Sequence, residues 1–415
     1  MRKGIIVVVI LFFGNTLITF GQLQVYTVNV ATNDLVYDAI TNRIYASVPS
    51  SNGSNGNSIG VINPDTYLLE NTIFIGSEPT VMAISDNGQY IYSGFSGSST
   101  VRIFDVSNQT AGIQFSLGND VSTGPYYVED IEVMPGQPTT IAISRKNSGF
   151  SPRHEGVVIY DYNVMRPTET PGHTGSNRIE FTSHDSLIGY NNETTEYGIR
   201  KLSVDTNGVS NVSVTQSVLS NFNLDFIYRN NYMYSTDGVV VDLTAVPFVI
   251  GQFSNVNGPV VYDENYNKIC YASYDFSGNI TFKRFNPNTF LVTDVFPITQ
   301  GSGPVKSLIT CGDGCYAFNT DDDKVIILKD LALSLPGSVL TNKIRIYPNP
   351  TSDFVNIRSD IEIKEIEISD LNGRVVDDIS FVRNQLDLGK LAQGLYLAKI
   401  VHLDGSNSIE KIIKN

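Results

Sequence analysis

The sequence predicts an all-β protein in which a seven-bladed β-propeller is followed by a small immunoglobulin-like β-sandwich. Three observations support this prediction. Short apolar strands recur through residues 24–330 about every 44 residues, a hairpin of two short strands precedes most copies, and a Gly-Pro or Glu-Pro pair often opens the unit. A unit of about 40–45 residues that forms four strands and repeats in series is typical of a β-propeller.

The recurring apolar strand is the clearest element of the unit. Good hairpins precede the second and sixth copies, at Val81–Ser93 and Pro259–Ala272. A single blade cannot bury both of its faces, so blades stacked around an axis supply the core. The fourth copy, near Arg178–Tyr190, is the weakest, so six or eight blades remain alternatives. The seven strands are Ile59–Asn63, Val101–Asp105, Val157–Asp161, Gly198–Leu202, Val239–Leu243, Ile280–Phe285 and Val325–Leu328.

The two ends of the repeat array are predicted to meet. The last unit shows three strands and ends at Lys329, whereas Val25–Val30 is a spare strand ahead of the first hairpin. We expect the spare strand to complete the seventh blade and to cover its exposed edge. The copies resemble the YVTN/WD-repeat-like propellers, although no Gly-His…Trp-Asp signature is present. The propeller is expected to span residues 22–333.

The N-terminus has the features of a secretory signal peptide over residues 1–21. Arg2 and Lys3 precede a charge-free run centred on Ile5–Phe13, and small residues lead to Gln22. This order of a basic head, a short apolar segment and a small-residue cleavage site is that of a signal peptide. The run is too short for a membrane span, which needs about 20 apolar residues. We therefore expect no membrane span after cleavage.

The C-terminal residues 345–415 carry several ordered motifs after a linker at 334–344. Strand-like runs at Phe354–Ile357, Ile361–Ile368 and Leu395–Ile400 predict a β-sandwich, with turns at Asn372-Gly373 and Asp404-Gly405. On pattern alone, an ordinary immunoglobulin-like appendage is an equal alternative. The residues that form the motifs are Pro348, Asn349, Pro350, Gly373, Gly394, Tyr396 and Lys411.

The ordered combination of these motifs resembles the type A C-terminal sorting domain of the type IX secretion system of Bacteroidetes. The resemblance implies that the secretion machinery recognises residues 345–415. It also implies passage through the periplasm, followed by release or attachment at the cell surface. It carries no implication for the chemistry of the preceding residues.

The net charge of −14 is confined almost entirely to residues 1–340, which carry −13 of it. Nucleic acids and anionic lipids require a basic surface. The acidic balance therefore argues against either as a partner. Solubility in an extracellular medium explains the charge, and recruitment of cations is the alternative.

The candidate ligand site lies in the third blade, on the rim shared by the blade connections and the loops between second and third strands. Gly118–Gly124 enlarges the connection into this blade, and Arg145–Glu155 enlarges a loop in it. The segment Ser50–Ser58 is expected to be a flexible loop on the same rim. These insertions predict a subsite for an anionic group such as a uronic acid, with a solvated, mobile loop as the alternative. The candidate residues are Tyr126, Tyr127, Arg145, Lys146, Arg153 and His154.

Recognisable catalytic motifs are absent from the sequence. It contains no Gly-x-Ser-x-Gly, phosphate-binding loop or His-Glu-x-x-His, and we assign no catalytic residue, metal ligand or cofactor. Asp321–Asp323 is interpreted as a hairpin turn, with a calcium site as the alternative. Cys311 and Cys315 flank a tight turn, which favours a disulfide and two buried thiols equally. Cys270 is expected to be a buried free thiol.

We therefore expect an exported or cell-surface propeller that acts in binding or adhesion, with a glycan or protein as its unknown extracellular ligand. The alternative is a secreted metal-dependent hydrolase or lactonase with its site in the propeller channel. This alternative predicts acidic and Asn side chains that converge at the ends of the inner strands. A surface scaffold without a ligand is a third interpretation. Fold alone is weak support for any of them.

Overall fold

A computed structural model describes residues 23–330 and most of 345–414. In the C-terminal part it covers 345–347, 349, 351, 353–359, 363–370, 374–376, 380–382, 385–403 and 407–414. The chain divides into two compact units, Met1–Leu331 and Ala332–Asn415. We describe each unit by itself. The predicted signal peptide at 1–21 and the predicted linker at 334–344 lie outside the described residues.

The regular secondary structure of residues 23–330 consists of antiparallel strands and one 3₁₀ segment at Ser50–Asn55. The strands are β1 Leu23–Asn29, β2 Leu35–Asp38, β3 Arg43–Val48, β4 Ser58–Asn63, β5 Leu68–Phe74, β6 Pro79–Ile84, β7 Tyr90–Phe95, β8 Thr100–Asp105, β9 Thr110–Ser116, β10 Asn119–Asp120, β11 Gly124–Val133, β12 Thr140–Asn147, β13 His154–Asp161, β14 Val164–Met165, β15 Arg178–Ser183, β16 Ser186–Tyr190, β17 Ile199–Asp205, β18 Gly208–Thr215, β19 Phe226–Arg229, β20 Tyr232–Ser235, β21 Val239–Asp242, β22 Phe248–Gln252, β23 Val260–Asp263, β24 Lys268–Tyr274, β25 Ile280–Phe285, β26 Val292–Ile298, β27 Val305–Thr310, β28 Cys315–Thr320 and β29 Lys324–Asp330.

These strands form seven sheets within residues 23–330. Blades 1 to 7 are β2–β5, β6–β9, β10–β14, β15–β18, β19–β22, β23–β26, and β27–β29 with β1. The inner strands β2, β6, β11, β15, β19, β23 and β27 each contact the next one around a closed ring. The prediction of a seven-bladed propeller is therefore confirmed, and the blade with the weakest repeat, the fourth, is a regular four-stranded sheet.

The ring is closed by the N-terminal strand, as the sequence predicts. Strand β1 pairs antiparallel with β29 from Leu23 opposite Asp330 to Asn29 opposite Lys324. It thus becomes the outermost strand of the seventh blade. Pairing the first strand of the unit with its last covers an edge and ties the two ends of the array together.

Apolar side chains packed between neighbouring blades form the core. One cluster joins Tyr92 of the second blade to Ile131 and Ile141 of the third, all of them buried. The hydroxyl of Tyr92 also donates to the carbonyl of Pro138 in the third blade at 2.9 Å. A buried hydroxyl that reaches a neighbouring blade avoids the cost of an unpaired polar group. The core is therefore held by packing and by hydrogen bonds that cross the blade boundaries.

The predicted loops in the third blade are shorter than the sequence indicated. Strand β12 extends to Asn147 and β13 begins at His154, so only residues 148–153 connect them. Within Gly118–Gly124, β10 pairs with the start of β11 and adds a fifth strand to the sheet. The predicted insertions are therefore shorter than expected, because five residues of Arg145–Glu155 and three of Gly118–Gly124 join the sheet.

Four other local predictions have clear outcomes. Residues 50–55 form a 3₁₀ turn instead of an irregular loop. The segment Asp321–Asp323 is a hairpin turn between β28 and β29, in which Asp322 accepts hydrogen bonds from Thr320 Oγ1 and Lys324 Nζ at 2.6 Å each. Cys311 and Cys315 form a disulfide with their Cα atoms 4.9 Å apart, and Cys270 is a buried free thiol.

The C-terminal unit is a β-sandwich, as predicted. Its sheets are β30-β31-β34-β33 and β32-β35-β36, and buried residues of both form a shared core that includes Val355, Ile368 and Ala398. The strands are β30 Arg345–Tyr347, β31 Phe354–Arg358, β32 Ile363–Asp370, β33 Phe381–Val382, β34 Gln385–Asp387, β35 Gly394–His402 and β36 Asn407–Lys414.

The sorting motif residues that the structure describes hold the edges of this sandwich. Asn349 Nδ2 donates to the carbonyl of Lys411 at 2.7 Å, and Asn349 Oδ1 accepts from the N–H of Ile413 at 2.8 Å. Gly394 begins β35, and the buried Tyr396 donates its hydroxyl to the carbonyl of Ala392 at 2.9 Å. Pro348, Pro350, Gly373 and the predicted turn at Asp404-Gly405 lie outside the described residues.

Candidate functional site

The propeller presents two rims with different connections. We call the face that carries the blade connections and the turns between second and third strands the connection rim. The opposite face, with the turns between first and second and between third and fourth strands, is the turn rim. Because every first strand enters from the connection rim, residues at the start of these strands lie around the mouth of the central channel there.

The channel encloses about 580 Å³ and is lined by residues from all seven inner strands or the segments just before them. Successive side chains of a strand point to opposite faces, so residues two apart share a face. Asp130 and Glu132 of β11 therefore face the channel together, as do Arg178 and Glu180 of β15. The charged residues of the lining are Asp34, Asp130, Glu132, Arg178, Glu180, Asp225 and Lys306.

Two of the channel carboxylates link neighbouring inner strands. Asp34 accepts hydrogen bonds from the N–H groups of Leu35 and of Met82 in the next blade, both at 2.8 Å. Asp130 accepts from the N–H of Ile179 in the next blade at 2.8 Å. A carboxylate that bonds two backbone donors fixes the spacing of the strands that carry them.

Arg178 lies among several carboxylates and does not neutralise them all. Its guanidinium nitrogens lie 3.8 Å from Asp130 Oδ1, 3.5 Å from Asp225 Oδ2 and 3.9 Å from Glu129 Oε1. Burial tends to lower the pKa of Arg178, but Asp225, Asp130 and Glu129 raise it above its ordinary value. This side chain therefore stays charged, and the channel keeps an excess of acidic groups.

The excess of acidic groups favours protonated carboxyls in the channel. Burial raises the pKa of Asp34 to about 6, although Met82 and Leu35 donate to it. Burial and the nearby Asp225 raise the pKa of Asp130 to about 7 against the opposing effect of Arg178. Burial, with repulsion from Glu180 at Glu132 and from Asp130 and Asp225 at Glu180, raises the pKa values of both glutamates well above the usual range. Part of the lining therefore holds protons near neutral pH.

None of these channel residues was among the site residues predicted from the sequence. The hydrolase alternative predicts acidic and Asn side chains that converge on the channel, and Asn33, Asn223 and Asn257 line it together with the carboxylates. Among the residues that the structure describes, no three His, Cys, Asp or Glu side chains come together as a potential metal site. The sequence feature that could have indicated the acidic cluster is the alternation of charged and apolar residues in Asp130-Ile131-Glu132.

The predicted basic residues of the third blade bind partners within the protein. Arg145 is buried and donates to the carbonyl of Glu155 through Nε and Nη2, at 3.0 and 2.8 Å. Its Nη2 also lies 2.8 Å from Glu169 Oε2, and its guanidinium stacks over the Tyr126 ring at 4.6 Å. Arg145 and Tyr126 therefore do come together, but as a packed ion pair and cation–π contact.

The other predicted cations are paired as well. Lys146 Nζ lies 2.8 Å from Glu129 Oε2, and Arg153 Nε lies 2.7 Å from Glu193 Oε1. Burial works to raise the pKa of Glu129, but Arg178 and Lys146 outweigh it and hold the pKa below its ordinary value. Both side chains are therefore components of ion pairs within the protein.

His154 also departs from the predicted role as a cation. It is 1% exposed, and burial together with Arg200 and Arg145 lowers its pKa to about 3. A neutral, buried imidazole cannot attract an anion from solvent. Tyr127 is partly buried opposite Lys146 in the β11–β12 ladder. Whether any of these residues contacts a ligand stays a prediction.

A larger opening lies on the connection rim over the sixth blade. This blade-6 pocket has a volume of about 970 Å³ and shares Asn257 and Tyr274 with the channel lining, so it opens beside the channel mouth. The residues of its wall that could contact a ligand are Asn255, Asn257, Tyr274, Phe276, Asn279 and Lys283.

Phe276 is fully exposed at the edge of this pocket, in the turn between β24 and β25. The turn is well ordered by Asp275, whose Oδ1 accepts from the N–H groups of Ser277 and Asn279 at 2.9 Å each. The carbonyl of Gly278 in turn accepts from the N–H of Gly303 at 2.9 Å. The backbone of the turn is therefore ordered, and its Phe276 ring is presented to solvent.

Comparison with known families supports the assignment of the C-terminal unit. Residues 345–415 match the family described as "Secretion system C-terminal sorting domain". The resemblance predicted for this segment is confirmed. The sorting domain indicates type IX export, so the protein is delivered to the cell surface or the medium. None of the helical segments in the described part of the chain has the length and hydropathy needed to cross a bilayer.

Comparison with solved structures supports the propeller. The "Myceliophteria thermophila Cps50 (Swd1) beta-propeller domain" superposes with a TM-score of 0.57 at 11% identity, over 73% of this chain and 98% of that one. "Kuenenia stuttgartiensis Hydrazine Synthase" gives 0.57 at 11% identity, over 71% and 95%. No curated protein sequence matches this chain. At such low identity these likenesses show the fold alone.

Proposed function

We propose that this exported propeller is a glycan-binding protein whose ligand lies in the blade-6 pocket. The observation that carries the proposal is Phe276, a fully exposed aromatic ring held by an ordered turn at the edge of a cavity of about 970 Å³. Burying a Phe side chain is worth roughly 1.5–3 kcal/mol, so the fold gains nothing from holding this ring in water. A ligand that covers the ring recovers that free energy.

The chemistry of the wall supports a sugar. A pyranose ring has apolar C–H faces that pack on aromatic side chains, and hydroxyls at its edge that both donate and accept. Phe276 and Tyr274 supply aromatic surface, and the amides of Asn255, Asn257 and Asn279 both donate and accept. Apolar surface with a few polar groups around it is the usual composition of a ligand pocket.

Lys283 favours a glycan that carries a carboxylate. Its Nζ donates to the carbonyl of Asn255, which leaves two N–H donors for a ligand. This retains the anionic ligand class expected from the sequence and moves the site from the third blade to the sixth. Export to the surface or the medium places the pocket where extracellular glycans occur.

The test is calorimetric titration of the full chain with neutral and uronic acid oligosaccharides chosen from a glycan array. We expect Phe276→Ala to weaken binding at least tenfold, since an aromatic residue at the centre of a contact commonly contributes 2 kcal/mol or more, about a factor of 30. Phe248→Ala is the matched control, because Phe248 is an exposed ring on the outer strand β22. Equal affinity of Phe276→Ala and the parent protein would refute the proposal.

The second candidate is the metal-dependent hydrolase, which the converging channel carboxylates favour. It requires that a divalent cation raise the thermal midpoint and that EDTA reverse the rise. It also requires that Glu132→Gln and Glu180→Gln abolish the rise while leaving binding at Phe276 intact. These outcomes separate the two candidates.

A further inference from the structure

A second pocket lies on the turn rim, between the fifth and sixth blades and on the face opposite the blade-6 pocket. It has a volume of about 210 Å³. Its walls come from β20, β22, β23 and the turn between β25 and β26. The aromatic and amide side chains of its lining are Asn230, Tyr232, Tyr234, Tyr262, Asn288 and Phe290. We call it the turn-rim pocket.

Tyr234 lines this pocket and is 3% exposed. Its ring packs against Phe253 and Tyr262, with centroids 6.3 and 6.1 Å away. Burial, together with Tyr262 and Tyr232, raises its pKa to about 12, so the hydroxyl keeps its proton and can donate. Within the described residues this hydroxyl has no hydrogen-bond partner, and its oxygen is not sealed from solvent, so it is open to an acceptor in the pocket.

Other buried tyrosines of the second strands show what Tyr234 lacks. The hydroxyls of Tyr92 and Tyr271 each donate to a carbonyl of a neighbouring blade at 2.9 Å, and that of Tyr190 donates to the carbonyl of Asn221 in the connection to the fifth blade at 3.1 Å. Tyr45 also lacks a partner in the described structure, but its hydroxyl is sealed from solvent. Tyr234 differs from all four, because it lines a cavity that a ligand can enter. An acceptor from outside the protein would satisfy it.

Phe290 forms a fixed wall of the pocket. Its φ of 58° lies in the left-handed region, as does the φ of 61° of Tyr67 in the corresponding turn of the first blade. The side chain of Asn286 holds the turn, because its Oδ1 accepts from the N–H groups of Asn288 and Thr289 at 2.9 and 3.1 Å. The ring packs on Gly251, where a Cβ would lie 2.5 Å from it.

We infer that the turn-rim pocket binds a single pyranose residue of a glycan. Three aromatic side chains, Tyr232, Tyr262 and Phe290, offer surface for the faces of one sugar ring. The hydroxyl of Tyr234 and the amides of Asn230 and Asn288 supply donors and acceptors for its hydroxyls. The small volume excludes a longer chain from the pocket, so the ligand is one residue of a longer glycan or a free monosaccharide.

This site is independent of the blade-6 pocket, because the two lie on opposite rims and share no lining residue. If both are occupied, one molecule holds two glycan chains on opposite faces. Because the sites face opposite directions, they would engage two different glycan-bearing surfaces and not one. The turn-rim pocket would then make the propeller a cross-linking protein.

The test uses saturation-transfer NMR and calorimetry on the full chain with a panel of neutral monosaccharides. We expect Tyr234→Phe to weaken binding about tenfold, the usual worth of one hydrogen bond to a neutral group. Its thermal midpoint should not fall, because the hydroxyl has no partner in the protein. Tyr92→Phe is the matched control, since it removes a hydroxyl bonded to Pro138 and should lower the midpoint without changing the affinity.

Two further measurements make the result decisive. Gly251→Ala pushes on the Phe290 ring and should abolish monosaccharide binding, while Phe276→Ala should leave it unchanged. Failure of the blade-6 pocket is therefore distinguishable from failure of this one. Unchanged affinity of Tyr234→Phe, or no bound monosaccharide, overturns the inference. Binding of phenylalanine amide, but of no sugar, would also overturn the inference. It would identify an aromatic side chain of a protein as the occupant.

Discussion

Replacing Asp130 by asparagine should stabilise the propeller at neutral and alkaline pH, although it removes a charge from an apparent ion pair with Arg178. Burial raises the pKa of Asp130 to about 7, from an ordinary value of 3.8. A carboxyl with a raised pKa in the folded state contributes its stability below pH 4 and loses it as the pH rises towards 7. Asparagine imitates the protonated form, and its oxygen can still accept from the N–H of Ile179.

The size of the effect follows from the pKa difference. One pKa unit is worth about 1.4 kcal/mol, so the raised value of Asp130 corresponds to at most about 4 kcal/mol at pH 8. For a unit of about 300 residues this is roughly 6 °C in the thermal midpoint. We expect Asp130→Asn to melt up to about 6 °C higher than the parent protein at pH 8, and at the same temperature at pH 4.

The assay is circular dichroism melting between pH 4 and pH 8 at constant ionic strength. The quantity of interest is the difference between variant and parent at each pH, since carboxylates elsewhere titrate in both proteins. Asp323→Asn is the control, because Asp323 is exposed in a hairpin turn at a φ of 60° that asparagine also adopts. Parallel melting curves for Asp130→Asn and the parent across this range would refute the reasoning about burial in the channel.

Three other changes have expected outcomes. Glu129→Gln should lower the free energy of unfolding, measured by urea titration, by about 2–3 kcal/mol, since it leaves Lys146 without its carboxylate partner at a largely buried site. An unchanged urea midpoint would show that the pair contributes nothing. Replacing Cys311 and Cys315 together by serine should cost about 2 kcal/mol from loop entropy alone, because the closed loop is short, and the variant should be insensitive to reductant. Deletion of residues 345–415 should leave the propeller folded but retained in the periplasm, and its appearance in the culture medium would contradict the assignment of the sorting signal.

The propeller could be predicted from the sequence because its repeat is local. Each hairpin is encoded by apolar strands and turn residues that lie within about 15 positions of each other, so the period is visible without any knowledge of distant contacts. The closing strand was also predictable, since the last unit lacked one strand and the first residues supplied a spare. The observed β1, Leu23–Asn29, differs from the predicted Val25–Val30 by two residues or fewer at each end.

The ligand site could not be predicted in the same way, because it depends on partners that are distant in the sequence. Arg145–Glu155 has the composition of a solvated loop, yet Arg145 and His154 lie in strands and are buried. Arg153 pairs with Glu193 forty residues away. No local pattern indicates that a glutamate of the next blade will neutralise a given arginine.

The channel carboxylates show why a local sequence pattern does not predict the charge state of a side chain. In an isolated strand, the alternation of Asp130-Ile131-Glu132 indicates a polar face turned towards water. In a propeller, seven inner strands meet at one axis, so the polar face of one strand meets its neighbours there and loses most of its water. Desolvation then decides the charge state of Glu132 and Glu180, and like charges that would repel weakly on a surface raise each other's pKa. The acidic residues among residues 1–340 therefore include two groups, those that keep the protein soluble and those that take up protons at the axis. Composition alone cannot separate the two groups.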